Sequence, residues 1–161
     1  MDITDGKPYL TQIRRLIEEY AGSLGRDLSF QSLSAELADL SARYTERAGE
    51  IIAAVTEQGE AVGCVAYHRH SDTRCEMKRL YVKPAYRKLH LGDRLVCEII
   101  RRAAQAGYRE MVLDTIEPLQ SAVRLYEKYG FRRIAPYYNN PMPDVIYMGL
   151  DLRAGRNKCE E

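Results

Sequence analysis

A chain of 161 residues and 18.5 kDa with 45% hydrophobic residues fits one domain and can close a core without disulfide or metal staples. Charged residues make up 29% and balance to a formal +1, which excludes the global basic field of a nucleic-acid binder or of a protein held on an acidic membrane. Cys64, Cys75, Cys97 and Cys159 show no CxxC spacing, which speaks against a zinc site and a disulfide framework and leaves reduced cytosolic thiols as the plain reading.

Met1 to Asp5 carries charge where a signal peptide needs apolar residues, and no run approaches the ~18 apolar residues of a membrane span. A cytoplasmic protein without membrane or nucleic-acid partners is expected. Leu10, Ile13, Leu16, Ile17, Tyr20 and Leu24 recur at helical spacing, and Gly22 and Gly25 end that helix. After Ser29, an N-cap residue by type, Phe30, Leu33, Leu37 and Leu40 repeat the pattern and predict one shorter helix. Whether the few residues before Lys7 form a strand is left open.

From Glu50 the character turns to β: Ile51 to Thr56, a turn at Gln58-Gly59, Ala61 to His68, then Cys75 to Val82, stopped by Pro84. Leu95, Val96, Ile99, Ile100 and Ala103 restore a 3.6-residue period from Leu91 on, and Gly107 closes the helix. Met111 to Asp114 is a short strand, a helix runs from about Pro118 through Lys128, and Val145 to Leu152 is a last strand. The order predicts an α/β (α+β) fold over residues 1–152 with a polar tail at 153–161. The crossover from 75 to 114 demands a parallel pair inside an otherwise antiparallel sheet.

The most informative stretch runs from Arg79 to Leu95 and joins a strand to a helix through a short loop. A helix N-terminus presents unsatisfied N–H groups and partial positive charge, and between residues 78 and 94 six basic residues face a single acid, Asp93. The implied ligand is polyanionic; a tight turn with solvated charges is the competing explanation.

Arg87-Lys88-Leu89-His90-Leu91-Gly92 resembles the Arg/Gln-x-x-Gly-x-Gly/Ala pyrophosphate loop of the Gcn5-related N-acetyltransferases (GNAT), with His90 where the family usually has its first glycine. A non-glycine residue there should avoid a glycine-only backbone conformation and point outward. Ala122 to Phe131 (AVRLYEKYGF) is similar to the family's A-x-x-L-Y-E-K-x-G-F segment and follows the next strand, as in the family.

The resemblance implies the GNAT fold, a mixed, mostly antiparallel sheet with a splayed parallel pair flanked by helices, and transfer of acetyl from acetyl-CoA to a primary amine of a small molecule or peptide, without a metal. The alternative of another class is a non-catalytic acyl-CoA-binding module. The oligomeric state stays open, a homodimer included.

By the same resemblance the amides of Leu89, His90, Leu91, Gly92 and Asp93, with Arg87 and Lys88, would hold the pyrophosphate. Leu80 and Val82 would pair with the pantetheine arm, and the backbone near Leu80 or Tyr81 would meet the oxyanion. Leu119 stands where the family often has asparagine, so Thr115 is the candidate polar partner for the arm. Tyr126, a phenol with a pKa near ~10, would protonate the leaving thiolate. Glu76, eleven residues before Arg87, matches the glutamate base of the family's histone-acetylating branch, with an ion pair to Lys78 as the rival explanation. Phe30, Tyr137 and Tyr138 are the candidate acceptor walls.

Overall fold

The computed structural model describes residues 1–26, 33–44, 48–153 and 159. Strand β1 (Asp2–Asp5) opens the chain, and a 3-10 turn at Lys7–Tyr9 leads into α1 (Leu10–Leu24), which buries Ile13, Leu16 and Ile17. Gly25, at φ +60, stops α1 in the left-handed cap that glycine adopts without Cβ strain.

The single second helix expected from periodicity is two short ones, α2 (Leu33–Ala38) and α3 (Leu40–Arg43). Asp39 makes the break: its carboxylate accepts from the backbone N–H of Ala42 at 3.1 Å and caps a new helix. Ser29 and Phe30 lie outside the described residues.

The remaining elements are β2 (Gly49–Val55), β3 (Ala61–Arg69), β4 (Arg74–Val82), α4 (Leu91–Gln105), β5 (Glu110–Ile116), α5 (Gln120–Lys128), β6 (Arg132–Arg133) and β7 (Val145–Asp151). Among the described residues the strands form one sheet in the order β1-β2-β3-β4-β5-β7-β6. Only β4 and β5 run parallel; every other pairing is antiparallel. The residues before Lys7 are thus a strand, in register with β2 from Asp2↔Val55 to Asp5↔Ile52.

Strand alternation sends side chains to two cores. One, under α4 and α5, gathers Leu95, Ile99, Met111, Leu113 and Met148; the other, under α1 and α3, gathers Ile13, Leu16, Leu40, Ile51 and Ala66. Full burial of each such aliphatic side chain contributes about 2 kcal/mol. No helix among the described residues is long and apolar enough to cross a membrane.

Two features of β4 give the sheet its opening and its buried charges. Its pairing with β5 has three rungs, Arg74↔Glu110, Cys75↔Met111 and Glu76↔Val112, after which the two strands part. Its pairing with β3 carries a bulge: Ala66 faces Lys78 but Cys64 faces Tyr81, so β4 holds one extra residue. Arg79 sits in that bulge at φ +64, a left-handed conformation that disfavours a residue with a Cβ, and a buried double hydrogen bond to Glu36 holds it (Nε to Oε2 2.8 Å, Nη2 to Oε1 3.3 Å). The bulge inverts the alternation. Cys75 and Met77 point into the α4 core and Glu76 and Lys78 to the opposite face, whereas beyond the bulge Leu80 and Val82 pack against the α4 core.

Candidate active site

The parting of β4 and β5 opens two connected compartments. The outer one is a solvent-open groove of about 580 Å³ between the end of β4, the N-terminus of α4 and the start of α5. Of the residues singled out from sequence, Leu80, Tyr81, Val82, Arg87, His90, Gly92, Asp93 and Tyr126 line it.

The groove wall is built by the loop. Pro84–Leu89 forms a 3-10 turn, His90 turns the chain at φ +56, and the first hydrogen bond of α4 runs from Arg94 N to His90 O at 3.3 Å. The amides of Leu91, Gly92 and Asp93 precede that bond, and no side chain caps them. Arg87 donates from Nε to Val82 O at 3.0 Å and lies 5.6 Å over the Tyr81 ring, which fixes its guanidinium at the wall. A Cβ at Gly92 would come within 3.2 Å of Leu125 Cδ2, so glycine lets α4 approach α5.

His90 adopts the left-handed conformation that glycine favours but that a residue with a Cβ can also take, so it avoids a strictly glycine-only conformation, and its side chain is 85% exposed. His90→Gly should therefore raise stability by up to about 1 kcal/mol, read from the midpoint of urea unfolding.

Other loop residues do less than expected. Lys88 and Leu89 are exposed and line neither compartment, and Leu91 is buried in the core, leaving only its amide to the groove. The Asp93 carboxylate is occupied by Lys128 Nζ at 2.6 Å and the Tyr129 hydroxyl at 2.7 Å, which ties α4 to α5.

The inner compartment lies on the far side of Leu80, lined by Tyr20, Leu24, Lys78, Arg79, Asp114, Thr115 and Tyr126 among others. Thr115 opens here and not on the groove. Tyr20, Leu80 and Tyr126 line both compartments and form their junction. Tyr126 stacks edge-on against Phe131 with centroids 5.7 Å apart, and its hydroxyl has no hydrogen-bond partner among the described residues. Burial pushes its phenol pKa above the ordinary value, so the hydroxyl keeps its proton at neutral pH.

Glu76 is corrected as a base. Its carboxylate receives His68 Nε2 at 2.7 Å and the Tyr137 hydroxyl, with Lys78 Nζ at 3.6 Å. Burial alone would push its pKa up, but these donors and the ammonium outweigh burial and bring it down to about 2. A carboxylate so held is a poor proton acceptor at neutral pH, and it lines neither compartment. The Lys78 ion pair named as its rival explanation is present.

Tyr137 and Tyr138 also differ from expectation. Neither lines the cavity; they back it, Tyr137 holding Glu76 and Tyr138 donating to Asp114 Oδ2. Asn140 Nδ2 adds a second donor to that oxygen at 2.8 Å, and the Tyr147 hydroxyl fixes the loop through Tyr138 O at 2.8 Å. Phe30, the third expected wall, lies outside the described residues. Sequence reading missed Asp114, whose available signal was an acid ending the apolar strand Met111–Leu113; Asn140 lies in the tyrosine- and proline-rich segment 136–143 that supplied Tyr137 and Tyr138 as candidates.

Cys64 and Cys75 are buried, and burial pushes both thiols up to about 12, which makes them inert as nucleophiles. No cluster that could hold a metal ion occurs among the described residues.

Known proteins share both the sequence pattern and the fold. The model of the "Acetyltransferase (GNAT) family" matches residues 11–131. A Schizosaccharomyces pombe protein named as an uncharacterized N-acetyltransferase is 46% identical over 144 residues, 89% of this chain and 88% of that protein. A GNAT-family acetyltransferase from Staphylococcus aureus superposes with TM-score 0.79 at 21% identity, covering 94% of this chain and 98% of its own. The Salmonella typhimurium protein yncA, solved with its cofactor acetyl-CoA, gives TM-score 0.70 at 21% identity and covers 94% of each chain.

Proposed function

The chain belongs to the GNAT acetyltransferase family, and from that premise we propose that it moves an acetyl group from acetyl-CoA to a primary amine by direct attack, with Tyr126 protonating the departing sulfur. The observation that carries this reading is the position of Tyr126, which faces both compartments with an unpartnered, protonated hydroxyl.

The outer groove suits acetyl-CoA on its own chemistry. The uncapped amides of Leu91, Gly92 and Asp93 and the fixed guanidinium of Arg87 offer donors to a diphosphate. The edge of β4 beyond Glu76, left unpaired by β5, offers backbone groups to the amides of a pantetheine arm. When bound, the coenzyme supplies an activated thioester. Backbone at the Arg79–Leu80 bulge is the candidate donor to the oxyanion, and the ion pair with Glu36 keeps that bulge rigid. The acceptor enters through the inner compartment, and Glu76 serves as a tie between β3, β4 and the 137–140 loop instead of as the base.

Calorimetric titration with acetyl-CoA and coenzyme A release on a broad panel of primary amines test the reading together. Binding plus turnover of at least one amine is expected; binding with no turnover across the panel would leave an acyl-CoA-binding module in its place. Arg87→Glu should weaken acetyl-CoA binding about 10–100-fold, because it replaces a charge-assisted contact by repulsion. Unchanged affinity in that variant would remove the loop from the site.

A further inference from the structure

Lys78 and Asp114 stand on β4 and β5, each two residues beyond the last rung, Glu76↔Val112. Two residues on, both side chains leave the same sheet face, and they meet across the splay as opposite walls of the inner compartment.

Each is anchored with polar capacity to spare. Tyr138 and Asn140 both donate to Asp114 Oδ2, and no described group donates to Oδ1. Lys78 Nζ lies 3.6 Å from Glu76 Oε1, beyond hydrogen-bond reach, although its side chain is only 11% exposed. Its neighbours are engaged elsewhere: Glu76 with His68 and Tyr137, Arg79 with Glu36. Burial pushes the Lys78 ammonium pKa down, offset in part by Glu76. One ion pair at 3.6 Å is longer than a hydrogen bond, and an anionic group on the ligand would give the ammonium the hydrogen bonds that this pair does not supply.

We propose, resting on the acetyl-transfer reading, that the acceptor is a small amine bearing its own carboxylate, an amino acid, with its ammonium on Asp114 Oδ1 and its carboxylate on Lys78. Asp114 takes the proton that the ammonium must shed, which frees the nitrogen lone pair. The C–N bond forms as the C–S bond breaks. Tyr126 gives its proton to sulfur and is restored by the second proton leaving nitrogen, and Asp114 returns its own to solvent. The products are the N-acetyl amino acid, coenzyme A and one proton.

The test measures coenzyme A release from acetyl-CoA with the twenty amino acids, β-alanine and γ-aminobutyrate, each beside its neutral amide and the amine lacking the carboxylate. The best amino acid should exceed its amide by ~10²-fold or more in kcat/KM. Lys78→Met should shrink that preference below about tenfold with an unchanged Kd for acetyl-CoA, while Lys78→Arg, which keeps the charge, retains it. Asp114→Asn should lower kcat with the same Kd. A merely structural lysine would lower amino acid and amide alike, and that result overturns the proposal. Turnover of neutral amines with no preference for a carboxylate overturns it while leaving acetyl transfer intact; no turnover of any amine sinks both.

Discussion

Tyr126→Phe is expected to bind acetyl-CoA with native affinity yet release coenzyme A ~10²–10⁴-fold more slowly. The ring's packing against Phe131 survives the change, so the variant should fold. What it loses is a hydroxyl that burial keeps protonated at the junction of the two compartments. A transition-state role lowers kcat with little change in the coenzyme's Kd, and stopped-flow turnover beside calorimetry separates the two. Native turnover in the variant would remove Tyr126 from the chemistry.

The second large effect is on stability. Glu76 has an ordinary carboxyl pKa of 4.5 and a folded value of about 2. The group's folded pKa is depressed, so the stabilisation is fully present above pH 4.5 and is lost as pH falls from there through about 2. The difference amounts to about 3 kcal/mol at neutral pH. Glu76→Gln should therefore be about 3 kcal/mol less stable than the native chain at pH 7, with the gap closing toward pH 2. Urea unfolding at a series of pH values reads both arms, and a gap independent of pH would contradict the assignment.

Much of the frame was legible because it is written in local periods. Leu95, Val96, Ile99, Ile100 and Ala103 announce α4, and Ile51 to Thr56 and Ala61 to His68 announce β2 and β3, since these patterns repeat over enough residues to outweigh chance. β1, with four residues, and β6, with two, are too short to carry a pattern, and pairing with β2 and β7 is what makes them strands. Asp39 broke a helix that periodicity alone read as continuous, because a capping hydrogen bond overrides an apolar repeat.

The chain's order of residues determined by itself the longer helices and strands and the parallel pair. Tertiary structure alone decided which charges face the inner compartment. The bulge at Arg79 reverses side-chain direction within β4, the splay after Glu76 sets Lys78 opposite Asp114, and a loop some sixty residues further on brings the Tyr137 hydroxyl to the Glu76 carboxylate. Local propensity reports what a residue's neighbours in sequence allow. Protonation and ligand contact depend instead on dielectric and donors contributed across the sheet, which only the packed chain brings together.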